Sequence, residues 1–169
     1  MNLLESSRHL GALRAVELTC FRRLGERAPR LAPPSCARWA AAASLAHAWR
    51  ASLLEDLLPL SPGLPGPAEL TVLPEDLLGD ELARALPEQG DDAFPGMAAG
   101  FCDSPSDNAS QLVADLAGGL YPVLLARYRL RLQLSSPAAD GAVVRTIGRA
   151  VADLEAVQAE GVALSSRLG

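Results

Sequence analysis

Apolar positions recur at three- and four-residue intervals in four long segments, the period of α-helices that each bury one face. The first, about 6–27, carries Leu10, Leu13, Cys20, Phe21 and Leu24 on one stripe and stops before Pro29. The second, about 36–58, follows "APPS", where Ser35 is placed to act as N-cap, and it ends at Pro59. Its inner face reads Ala40, Ala43, His47, Ala51 and Leu54. The third, about 108–134, takes Asp107 or Asn108 as cap and turns Leu116, Leu120, Val123 and Leu124 inward. The fourth, about 141–164, has the stripe Val143, Ile147, Ala150, Leu154, Val157 and Gly161. "TVL" at 71–73 is too short to build a sheet.

The connections set the topology. Ala28 to Ser35 is short and proline-rich, and the link before the fourth segment holds Pro137, Asp140 and Gly141. Both suit tight turns between antiparallel helices. Residues 60–106 form a long crossover with most of the prolines, and a short helix is expected within it near 75–86. Two antiparallel helical hairpins joined by one long crossover make a ferritin-like four-helix bundle. We therefore expect an all-α protein, with 1–169 forming a single ferritin-like domain. Pro122, in "GGLYPVLL", falls inside the third helix. It either splits that helix or bends it beside a pocket.

Composition narrows the function classes. Alanine and leucine dominate an apolar fraction of 49%, aromatics are 4%, and all 15 basic residues are Arg. The net charge of −5 argues against a general nucleic-acid binder. Charge is uneven: 75–107 carries −8 and the remainder +3. The acidic stretch reads as a solvated crossover. Three cysteines, Cys20, Cys36 and Cys102, form no CxxC pair and signal neither a disulfide framework nor a zinc knuckle. The N-terminal "MNLLESSRHLGALRAVEL" scatters charges through its apolar residues, so neither a leader nor a membrane span is expected, and the protein reads as cytoplasmic.

The candidate chemistry lies on the inner faces. Glu17 occupies a stripe position in mid-helix, where an unpaired carboxylate is costly. His47 lies mid-way along the inner face of the second helix, with Ser44 one turn earlier. An antiparallel first hairpin makes the two natural partners and a candidate acid/base pair. Tyr121 and Tyr128 sit two turns apart on one face and could offer hydroxyls to a ligand; such tyrosines more commonly stand at a core margin with wet tips. Asp115, Asp153 and Glu155 face outward by periodicity. Trp49 falls off the His47 stripe, which suits an edge or interface. Arg127, Arg129 and Arg131 with Arg145 and Arg149 fit either an anion patch or a solvated surface.

These positions resemble the ligand pattern of di-iron ferritin-like proteins: Glu on the first helix, Glu-x-x-His on the second, Glu on the third and Glu-x-x-His on the fourth. Glu17 is similar to the first ligand, and "SLAH" resembles the second motif with Ser44 in place of Glu. Leu154 and Val157 take the fourth helix's ligand places, and the third helix offers no mid-helix Glu. With "LGALRAVEL" near its start and "DGAVVRTIGRAVADLEAVQAEG" near its end, the chain resembles an uncharacterised bacterial ferritin-like family. The resemblance implies a bundle with a degenerate di-iron motif. We expect no cofactor and no metal, since iron or another metal would require an atypical site on Glu17 and His47. The first functional expectation is a metal-free small-molecule-binding or structural module. The alternatives are a small-molecule metabolic enzyme using the Glu17–His47 pair for acid–base chemistry, or an atypical metal-dependent oxidase or oxygenase. The partners to consider are a second copy, as a homodimer, and a small apolar ligand; neither nucleic acid nor membrane is expected.

Overall fold

The structure, a computed structural model, describes residues 2–61, 63–73 and 105–168. Among the described residues every regular element is helical. Helix α1 spans Leu3–Arg27, followed by a 3₁₀ turn at Ala28–Arg30. Helix α2 spans Pro34–Glu55, and the single turn α3 spans Pro67–Leu70. Helix α4 (Pro105–Asp115) runs through a π-helical turn at Leu116–Leu120 into α5 (Tyr121–Gln133). Helix α6 spans Gly141–Leu168. The short helix expected near 75–86 lies outside the described residues.

Local chemistry explains the ends. Asn2 caps α1 by accepting from the Glu5 amide at 2.9 Å, and Glu5 returns a bond to the Asn2 amide at 3.0 Å. That box moves the start of α1 ahead of the expected residue 6. At α2, Pro33 is the N-cap and Pro34 the first helical residue. Ser35 is therefore inside the helix and not its cap, because a proline's fixed φ suits that first position. The third helical run begins at Pro105, ahead of the expected Asp107 or Asn108.

The π turn resolves the question raised by Pro122. A proline ring clashes with the carbonyl four residues earlier, here Gly118. Widening the turn at Leu116–Leu120 accommodates that clash, and the Tyr121 amide bonds to the Leu116 carbonyl, one residue further back than in an α-helix. The rod continues, with its phase reset at Tyr121.

Helices α1 and α2 make the most extensive contact, and α6 packs against α2, α4 and α5. The shared core includes Leu10, Leu24, Leu54, Leu116, Leu124, Ile147 and Leu154. Approach is closest at Gly161 of α6. A Cβ there would lie 2.8 Å from Trp39 Cζ2 and 2.9 Å from Ala117 Cβ, so only glycine fits without displacing a neighbour. Phe21, assigned to the α1 stripe by periodicity, is 40% exposed. The run Ala109–Gln133 is apolar enough to resemble a membrane span by length and composition, but half of its most apolar window is buried within the fold.

Candidate functional site

Four helices place polar side chains at one point in the core. Glu17 comes from α1, His47 and Arg50 from α2, and Tyr121 and Tyr128 from α5; all five are 0% exposed. Asp153 of α6 closes the set at the solvent margin, its side chain 32% exposed. Arg50 follows His47 by three residues, so α2 presents both from one side. Tyr121 and Tyr128 follow the π turn seven residues apart and share a face of α5.

Glu17 is the hub. Its Oε2 lies 2.6 Å from His47 Nδ1, and Arg50 Nε donates to both carboxylate oxygens, at 3.1 and 3.0 Å. The Tyr128 hydroxyl donates to Oε1 at 2.7 Å. His47 Nε2 lies 3.1 Å from the Tyr121 hydroxyl. Arg50 Nη1 pairs with the Asp153 carboxylate. Arg50 Nη2 also stands 2.8 Å from His47 Nδ1. A single ring nitrogen cannot both donate to Glu17 and accept from Arg50. We assign the proton to Nδ1, because a bare Nδ1 lone pair at 2.6 Å from a carboxylate oxygen would be repelled.

The electrostatics follow from burial and from Arg50. Burial alone would raise the Glu17 carboxyl; the Arg50 guanidinium, then His47 and the hydrogen bonds from both, reverse this and bring its pKa to about 2. Burial lowers the His47 pKa; Glu17 works to raise it and Arg50 to lower it, and the net is a value below 6.5. His47 is therefore neutral near pH 7, and its contact with Glu17 is a hydrogen bond to a carboxylate. Burial opposes the Arg50 cation, but Glu17, with Tyr128 and Asp153, holds its pKa above the usual value. Burial also pushes both tyrosines well above 10, with Cys20 adding to Tyr121 and Glu17 to Tyr128. The buried Cys20 thiol is raised by burial and by Glu17.

With His47 neutral and protonated at Nδ1, Nε2 accepts from Tyr121. The chain Tyr121 O–H, His47, Glu17 then has the connectivity of a nucleophile, a base and its orienting carboxylate. A phenol with a raised pKa at a fully buried position is a poor nucleophile, however. The cluster's carboxylate, imidazole and hydroxyl groups satisfy one another, while this tautomer leaves Arg50 Nη2 facing the Nδ1 proton with no acceptor among the described residues. By distance alone, the buried side-chain atoms without a hydrogen-bond partner among the described residues are Arg14 Nε and Arg131 Nε, both outside the cluster.

Comparison with protein-family models, curated proteins and solved structures finds no match to this chain. The reading of the cluster therefore rests on its own chemistry.

The structure brings together Glu17, His47, Tyr121 and Tyr128. The tyrosine tips are dry and spent on the pair, contrary to the expectation of wet tips at a core margin. Asp153, expected to face out, is reached by the Arg50 side chain, while Glu155 pairs with Arg129 at 2.6 Å and Asp115 accepts from Gln111 at 2.6 Å. Ser44 is buried and donates to the Phe21 carbonyl at 2.7 Å. Arg131, grouped with the surface arginines, is 1% exposed and donates to Ser6 at 2.6 Å and Ser135 at 2.7 Å. Helical periodicity does not single out Arg50. Its signal is its place as the only Arg, Lys, Asp or Glu between Trp39 and Leu54.

A separate open groove of about 630 Å³ lies between the first turns of α2 and the last turns of α6. Trp39 and Leu164 line it, with Arg38, Arg167 and Glu160 as its charged groups. The Trp39 ring lies 6.2 Å from Tyr121, centre to centre, and so stands between groove and cluster.

Proposed function

We propose that the chain is a ferritin-like four-helix bundle acting as a metal-free binding or structural module. In this reading the Glu17–His47–Arg50 cluster locks helix register in place of a di-iron centre. The observation that carries it is Arg50, a permanent cation whose Nε holds both oxygens of Glu17. A di-iron centre does not fit these residues. Beyond Glu17 and His47, the ligand places hold Ser44, spent on a backbone carbonyl, and the apolar Leu154 and Val157. A metal would also have to enter against the guanidinium charge and displace its bonds. The small-molecule side of the reading rests on the Trp39 groove, where an apolar floor could take a small apolar ligand.

The lock predicts a sealed histidine. Diethyl pyrocarbonate modification mapped by mass spectrometry tests this, with the exposed His9 as internal standard. His9 reacts and His47 is protected in the native state. Comparable rates at both would remove the lock and favour the second reading, an enzyme using the Tyr121–His47–Glu17 relay for proton transfer, which the 3.1 and 2.6 Å contacts support. Incubation with ferrous iron followed by metal analysis tests the metal-free assignment, and a stoichiometry of one or more per chain would overturn it.

A further inference from the structure

The outer face of α2 carries a second pattern, independent of the cluster. Positions 38, 42, 45, 49, 52 and 56 are all exposed and follow one another at steps of four, three, four, three and four. Asp56, the helix C-cap, keeps right-handed helical dihedrals, so the series stays on the helical path. This is the alternating spacing with which one helix packs along another at a shallow left-handed crossing. The residues run Arg38, Ala42, Leu45, Trp49, Ser52, Asp56: cation, small, large, large, small, anion. The spacing and the chemistry are both palindromic about position 47.

We infer that this stripe is a homodimer interface in which α2 pairs antiparallel with α2 of a second copy about a two-fold axis near position 47. A two-fold contact must be self-complementary. The antiparallel arrangement sets Arg38 against Asp56 of the second copy, Ala42 against Ser52, and Leu45 against Trp49, each twice. A parallel pairing would set Arg38 on Arg38 and Asp56 on Asp56, which like-charge repulsion opposes. Leu45 is 69% and Trp49 45% exposed, an arrangement that leaves large apolar side chains in water unless they are covered. Phe21, 40% exposed on α1, extends the apolar surface: its carbonyl is held by Ser44, next to Leu45. Between Arg38 and Glu55 the one charged residue is Arg50, buried on the other face, so the centre of the interface desolvates no charge. α2 therefore has two apolar faces, one for its own bundle and one for its copy.

Sedimentation velocity on the full chain reads the association directly. The expected species has twice the 17.7 kDa chain mass. Leu45→Glu places a charge at the centre of the seam and raises the dissociation constant more than about tenfold. Arg38→Asp and Asp56→Arg each weaken association about fivefold or more, and the two together restore it, because each reversed residue again meets its opposite. All three positions are exposed, so circular dichroism of every variant matches the parent. A parent that stays monomeric at about 100 μM overturns the proposal, far above the micromolar affinities of ordinary association. So does a Leu45→Glu chain that dimerises like the parent, or a charge-reversed double variant no tighter than its single variants.

Discussion

Replacing Arg50 with Met tests what the guanidinium does for the core. Methionine keeps most of the stem's volume but removes the cation, leaving the Glu17 carboxylate, 0% exposed, with only His47 and Tyr128. Breaking a buried pair by removing one partner costs about 3–5 kcal/mol, mostly from the charge left behind. The lowered Glu17 pKa points the same way, as the net of burial against Arg50 and His47 together. A carboxyl moved from 4.5 to about 2 represents about 3 kcal/mol of preferential interaction with the ionised form. We expect a loss of about 3–5 kcal/mol at pH 7 in urea unfolding followed by far-UV circular dichroism.

The variant also has a pH signature. Removing Arg50 removes a repulsion that holds the His47 pKa down, while Glu17 continues to raise it. The folded His47 pKa therefore rises in the variant, while burial still lowers it. A depressed histidine costs stability as pH falls below its unfolded value, and the variant, with a less depressed pKa, loses less there than the parent. The gap to the parent should narrow as pH falls below 6.5. Adding Glu17→Gln removes the stranded charge, and the double variant should regain at least about half of the loss. An Arg50→Met loss below about 1 kcal/mol, or a double variant no more stable than Arg50→Met, would refute the claim that Arg50 balances Glu17.

In the parent, His47 has a depressed folded pKa, so stability falls as pH drops below 6.5, and a further loss follows from about 4.5 towards 2 as Glu17 protonates; His47→Gln should abolish the first decline and keep the second in urea midpoints taken across pH. Tyr128→Phe removes a donor from a buried carboxylate and should cost about 1.5–3 kcal/mol, whereas Tyr121→Phe loses a bond to a neutral imidazole and should cost about 1 kcal/mol; equal losses would contradict the assigned charge states. Gly161→Ala forces a Cβ against Trp39 and Ala117 and should cost about 1–3 kcal/mol in thermal unfolding, with no measurable change expected for Gly148→Ala beyond the usual helix gain, since nothing lies within 4 Å of a Cβ there.

Helical period marked the four long segments because each has one face that must leave water, and the inner residues of α2 and α6 follow that period closely. It also placed Glu17 and His47 on facing stripes, since antiparallel neighbours joined by a short link bring mid-helix positions together. It does not separate Phe21, 40% exposed, from the buried stripe residues around it. The π turn left a cue, Gly118 and Gly119 before Pro122, but its consequence is tertiary. Only a neighbouring helix shows that resetting the phase at Tyr121 aims a hydroxyl at His47.

Arg50 was hidden for a different reason. Periodicity treats arginine as a surface residue, and here the charge is buried because its partners come from two other helices, Glu17 from α1 and Asp153 from α6. Asp153 was in turn assigned outward because a Cβ direction takes no account of how far a guanidinium can reach. The two errors share one cause: a long side chain can carry charge from a core position to the margin, and a stripe records only where the chain leaves the backbone. Arg50 also alters the meaning of Glu17 and His47. A carboxylate and an imidazole on adjacent helices look like the remains of a ligand set until a permanent cation is seen held by the same carboxylate. Guanidinium does not deprotonate at accessible pH, so the pair Glu17–Arg50 remains charge-balanced with no ion taken from solution. Proton uptake by Glu17 then becomes the event that unbalances it, which makes acid the condition under which the core is weakest.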